Sequence, residues 1–206
     1  MNYIAQGGFI MVILLVISIL AIAIIINRLR FYHRAKVDSG GLLGDVLKYV
    51  SAGSPAAAVS LCEETGGPLA AVMKAGLSFY SDGAEVMEEA FQAQELKELP
   101  ELEKYLPVLS TIASIATLTG FTGTVTGMIR AFNSIAQAGA SSPAIVASGI
   151  SQALLTTAAG LLIAIPTVIF VKFFESTVDR FANEIDLVTH ELIRAAKKAS
   201  AGGGGL

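Results

Sequence analysis

SIATLTGFTGTVTGMIRAF, residues 114–132, places one charged side chain, Arg130, among nineteen positions and returns to glycine at 120, 123 and 127. Reading outward from it, residues 105–129 carry no charge, and neither do residues 131–171. Residues 1–27 form a third uncharged stretch, rich in Ile, Leu and Val from 7 to 26. Crossing the roughly 30 Å hydrocarbon core of a bilayer takes about 20 apolar residues in a helix, so each stretch is long enough to span once. Over all 206 residues the chain is 53% hydrophobic and 15% charged, against about 25% charged in soluble domains. The expected fold is an all-α membrane protein with three transmembrane helices, two of them extended into a cytoplasmic helical bundle.

Composition excludes several chemistries. A net charge of −3 lacks the basic footprint of a nucleic-acid binder. Cys62 is the sole cysteine, so no internal disulfide or cysteine metal cluster forms. His33 and His190 are far apart among charged neighbours, which fits solvated surface better than a metal site. Neither a nucleophile–base pair nor a metal-ligand set occurs within the apolar stretches. The chain is therefore expected to be no enzyme and to hold no cofactor.

The first stretch, 1–27, ends in RLRFYHRAK, with Arg28, Arg30, Arg34 and Lys36 close behind it. It lacks the basic leader and the small-residue cleavage site of a signal peptide. Under the positive-inside rule, its N-terminus is outside and Arg28 onward is cytoplasmic. Residues 28–106 form a cytoplasmic insert; 28–104 hold 8 basic and 12 acidic side chains. Ser54-Pro55 and Gly67-Pro68 read as helix starts. Asp82 with Glu85 reads as a capping box opening the next helix. Pro100 and Pro107 mark joints near the membrane. The second span covers 107–135, a short periplasmic loop 136–144, and the third span 145–171. Residues 172–206 then continue as a cytoplasmic helix, with apolar positions from Phe173 to Leu192 near helical spacing, ending in a flexible AGGGGL tail.

Gly120, Gly123 and Gly127 on the second span, and Gly149 and Gly160 on the third, form small-residue seams of the kind that lets helices approach closely in lipid. The expectation is that they seal an assembly of copies, while the first span, without such a seam, faces lipid. Threonines crowd the same segments at 117, 119, 122, 124, 126, 156 and 157. Each hydroxyl either bonds its own helix or contributes to a polar path for water or an ion. Gln152, one turn from Thr156, is the most polar group of the third span. No carboxylate lies within any span, so a proton relay needs a titrating group from a partner. Arg130 either snorkels to the headgroups or meets a partner as a contact or gate. Pro166 removes one backbone bond and is expected to kink the third span.

GFTGTVTGMIRAF (120–132) and GISQALLTTAAGLLIAIP (149–166) resemble the MotA/TolQ/ExbB proton-channel family. Its members read G-L-L-G-T-V-x-G-M-I followed by G-I-x-E-A-L-x-x-T-A-x-G-L-x-x-A-I-P. Three spans and an insert of this size are similar to the ExbB/TolQ branch. The resemblance implies a bacterial inner-membrane subunit of an energy-transducing motor, a homo-pentamer around a single-span ExbD/TolR-like partner whose Asp carries the proton. A TonB/TolA-like protein would receive the work. The family's pore threonines fall on Thr124 and Thr157, and Gln152 and Thr156 complete the implied ion pathway. Gln152 stands where the family usually has Glu, and Thr117 where it usually has Pro. The additional threonines resemble the pores of sodium-driven relatives, leaving proton and sodium both open as the coupling ion. The competing reading is a passive scaffold or permease subunit whose glycines only pack helices.

Overall fold

The computed structural model describes the backbone of residues 3–36, 38–138 and 143–202, and the side chains of 8–36, 38–136 and 146–199. Seven α-helices account for most of it: α1 (Tyr3–Ala35), α2 (Ser39–Ser51), α3 (Pro55–Thr65), α4 (Gly67–Leu77), α5 (Ala84–Glu103), α6 (Leu106–Ala138) and α7 (Pro143–Gly202). A short 3₁₀ turn, Tyr80–Asp82, precedes α5. No strand occurs among the described residues, and three helices are long and apolar enough to cross a membrane. The protein is an all-α membrane protein. The expected loop residues 139–142 and the glycines 203–205 lie outside the described residues.

The chain divides into two compact units, one of residues 1–28 with 105–174, the other of 29–104 with 175–206. The first is built from the apolar part of α1, from α6 and from the first half of α7. Leu14 of α1, Ala116 of α6 and Ala164 of α7 are buried together, with Ile10, Ile17, Ala159 and Ile163 packed around them. One stripe of α1 thus faces its neighbours, while Phe9, Val12, Val16, Ile19 and Ile22 stay exposed. Such an apolar outer face suits a lipid solvent.

The second unit folds as water-soluble proteins do. Val46 and Val50 of α2, Ala58 and Cys62 of α3, Leu69 and Met73 of α4, Met87 and Phe91 of α5, and Ile185, Val188 and Leu192 of α7 share one core. The buried Tyr32 hydroxyl donates to the Leu102 carbonyl at 2.7 Å, and its ring stacks on Phe181. Pro55 and Pro68 sit in the first turns of α3 and α4, as their sequence context predicts. Asp82 does not cap α5. It ends the 3₁₀ turn, and Gly83, at φ 106°, takes the cap position without a side-chain bond. The tight turn after Phe79 consumes the residue that the capping box needed. Pro100 lies within α5, and the joint to α6 falls at Lys104 and Tyr105, where Tyr105 adopts φ 69°.

Burial pushes the Cys62 thiol up to about 11, which leaves little reactive thiolate near neutrality. The Glu95 carboxyl is also raised, first by burial and then by the nearby Asp186 charge. Gly76 makes a specific demand on this core. A Cβ there would clash with the Cδ1–Cε1–Cζ edge of the Phe91 ring, which is 2% exposed. Gly76→Ala gains up to ~1 kcal/mol of helix propensity but overpacks the site, at a cost of roughly 1–3 kcal/mol. The expected outcome is a lower thermal midpoint for Gly76→Ala, recovered in the Gly76→Ala/Phe91→Leu double variant, as read by circular dichroism.

Candidate functional site: the glycine seam and its threonines

α6 and α7 meet along a line of residues that have almost no side chain. A Cβ added at Gly160 would stand 2.7 Å from the Ala116 carbonyl oxygen and 3.0 Å from the Gly120 Cα. One added at Gly127 would be 2.8 Å from Ala153 Cβ, and one at Gly149 2.8 Å from Ala131 Cβ. At Gly123 it would land on the Thr156 side chain, and at Gly120 it would reach the Thr156 carbonyl at 3.0 Å. The neighbouring atoms are mostly backbone and have nowhere to go. All five glycines are thus used within one chain, closing α6 on α7. The sequence expectation had them seal copies of the chain together; within the chain they close α6 on α7.

Most of the threonines bond their own helix, satisfying the hydroxyl where water is absent. Thr117 donates to Ala113 at 3.1 Å, Thr122 to Leu118 at 2.8 Å, Thr124 to Phe121 at 2.5 Å and Thr126 to Thr122 at 3.0 Å. Thr156, 1% exposed, donates to Ala153 at 2.8 Å. Thr157 differs, since its hydroxyl crosses to α6 and donates to the Gly120 carbonyl at 3.1 Å. That bond exists because Gly120 lets the two backbones come this close. A donating hydroxyl still keeps its oxygen lone pairs, so Thr124 and Thr157 retain the capacity to coordinate a cation or a water.

The four residues of the implied pathway do not share one surface. Thr156 lies inside the seam against Gly123. Thr124 and Thr157 are half-buried on its flank, beside the exposed Phe121, Leu154 and Leu161. Gln152 points elsewhere, with its Nε2 3.0 Å from where a Gly8 Cβ would be, beside α1. Arg130, exposed, extends along the same side, its Nη1 4.0 Å from that Gly8 position. At 100° per residue, Arg130 is about 120° around α6 from Thr124, and Gln152 about 140° around α7 from Thr157.

Pro166 lies inside α7, a single helix through that point, and the neighbouring Thr167 hydroxyl bonds the Ile163 carbonyl at 2.7 Å. Inside a helix of this unit, non-helical backbone occurs in α1 at Gly8, with φ 64° and ψ −158°. Sequence reasoning missed this break. Its only trace is the Gly7-Gly8 doublet ahead of an apolar run. Also missed was the 4%-exposed Arg28, whose guanidinium carbon lies 5.2 Å from the Tyr105 ring centroid, a cation–π distance. An Arg next to an aromatic at a span boundary is visible in sequence only once α1 and α6 are known to pair there. Among the described residues, no group of three or more His, Cys, Asp or Glu stands close enough to hold a metal.

Against known proteins, the sequence signature of the MotA/TolQ/ExbB proton channel family matches residues 64–187. The chain is similar to an ExbB-like biopolymer transport protein (ExbB-like 3) of Synechocystis sp., at 32% identity over 172 residues, 82% of each chain. It is similar to the biopolymer transport protein ExbB of Neisseria gonorrhoeae at 40% identity over 70 residues, 34% of this chain and 32% of that one. With ExbB of Salmonella typhimurium it shares 48% identity over 52 residues, 25% of this chain and 21% of that one.

The seam geometry sets an order of sensitivities. Gly160→Ala forces a Cβ against backbone and is expected to cost roughly 1–3 kcal/mol of stability, the range for overpacking. Thr157→Val removes one interhelical bond at constant shape and should cost about 1 kcal/mol or less. Thermal unfolding in detergent checks both; a Gly160→Ala midpoint equal to that of the wild type refutes the close-packed seam.

Proposed function

Since the chain belongs to the MotA/TolQ/ExbB proton channel family, we propose that it is the channel-forming subunit of an ExbB/TolQ-like motor in a bacterial inner membrane. Ion flow down the electrochemical gradient would drive work through an ExbD/TolR-like single-span partner, with the chain as a homo-oligomer, most simply a pentamer. The observation that carries this reading is a charge pattern. Residues 1–28 and 105–174 contain no Asp or Glu, while Thr124 and Thr157 share an otherwise apolar flank. A proton crossing a membrane needs a group that titrates at depth. Here the partner's Asp supplies it, and the two hydroxyl oxygens orient that carboxylate or the ion it carries. Sodium suits the same oxygen donors, so the coupling ion is the quantity to measure.

In this reading the N-terminus is periplasmic, residues 28–106 and 172–206 are cytoplasmic, and 136–144 form the periplasmic loop between spans. Thr124 and Thr157 line the path, and Thr156 supports it from inside the seam. Each charge descending 100 mV releases about 2.3 kcal/mol, so a few ions per stroke suffice to remodel a protein contact, the kind of work a TonB/TolA-like protein would pass on.

Two measurements test this. In proteoliposomes containing the chain and its co-expressed partner, the Thr124→Val/Thr157→Val double variant should cut flux at least tenfold in whichever gradient, proton or sodium, drives the wild type. Unchanged flux returns the chain to a passive scaffold. For topology, a cysteine introduced at exposed Ser60 in a Cys62→Ala background should react with a membrane-impermeant maleimide only after the cells are opened. Labelling in intact cells reverses the orientation.

A further inference from the structure

The membrane unit carries cations and no acids: Arg28, Arg130 and Lys172 in residues 1–28 and 105–174, with no Asp or Glu. Gly8 and Arg28 are twenty residues apart on α1, and Gln152 and Lys172 are twenty apart on α7. At 1.5 Å per residue each interval is about 30 Å, the thickness of a hydrocarbon core. Arg28 and Lys172 thus mark one boundary, and Gly8 and Gln152 the other.

At that second boundary Arg130 and Gln152 converge. Their Nη1 and Nε2 atoms come within 4.0 and 3.0 Å of the Cβ position that Gly8 leaves empty. Gly8 is doubly constrained, because its φ of 64° is strained for any side chain and a Cβ would push against the Gln152 amide. A guanidinium offers five donors and a carboxamide two, so the pair presents N–H groups to an acceptor. Acceptors that match a guanidinium bidentately are phosphate and carboxylate. The pair lies beside α1, whose outer face is apolar and exposed, and about 120–140° around the helices from Thr124 and Thr157. A phosphate on the lipid side fits this position better than a partner's carboxylate in the pathway.

We infer that Arg130 and Gln152, held at the Gly8 break of α1, form a binding seat for the headgroup phosphate of a phospholipid in the leaflet at the α6–α7 turn. The seat anchors the α1–α6–α7 packing to the membrane surface and is independent of ion coupling. The full chain, purified in detergent and delipidated, is titrated with phosphatidylglycerol and bound lipid is counted by native mass spectrometry. Arg130→Gln should weaken retention at least tenfold. Arg130→Lys, which keeps the charge without the fork, and Gln152→Leu should each weaken it about threefold, with the oligomer intact by size exclusion. Equal retention by wild type, Arg130→Gln and Gln152→Leu overturns the seat. It is equally overturned if lipid retention holds while the co-expressed partner is lost from Arg130→Gln, since the acceptor is then a protein carboxylate.

Discussion

The contact of one helix backbone with another, α6 on α7, is the constraint on which the membrane unit depends. Between helices in lipid there is no gain from removing apolar surface from water, because the lipid is itself apolar. What remains is dispersion at short range and the few hydrogen bonds that short range allows. Gly160 against the Ala116 carbonyl and Gly120 against the Thr156 carbonyl bring the axes close enough for both. The Thr157 hydroxyl reaches the Gly120 carbonyl only because of that closeness. Once the seam is set, the remaining side chains have fixed flanks, with Gln152 and Arg130 towards α1 and Thr124 and Thr157 elsewhere.

The second unit solves the opposite problem, because its solvent is water. Its core is assembled from Val, Leu, Met, Ile and Phe of five helices, and its surface carries the acidic and basic residues missing from the spans. Gly76 serves there as a recess for the Phe91 ring, where the seam glycines admit a neighbouring backbone. One residue type thus does two jobs according to the solvent around it.

The absence of acids from the membrane unit shapes its electrostatics. Arg28, at one boundary, is covered and placed over the Tyr105 ring, where the ring quadrupole offsets part of the cost of burying a cation. Arg130, at the other, is exposed. The unit thus has cations at its edges, hydroxyls within and no Asp or Glu of its own. That asymmetry is a property of the chain before any partner is considered.

Much of this was legible in the residues. Three uncharged stretches specify three membrane helices, because an unpaired charge in hydrocarbon is too costly to hide. The run Gly120, Gly123, Gly127 announces a close helix neighbour, and the missing carboxylate excludes a self-contained proton relay. The residues did not say which helix the glycines would face, nor that Gln152 would turn towards Gly8 and away from Thr157. In lipid the outward and inward sides of a helix are equally apolar, so hydrophobic periodicity leaves its rotation undetermined. Asp82 was misjudged for a related reason, since the three-residue 3₁₀ turn Tyr80–Asp82 moved the helix cap past it to Gly83. Rotation and register were decided by contacts between residues distant in the sequence, as in Thr157 to Gly120, and those contacts exist only in the folded chain.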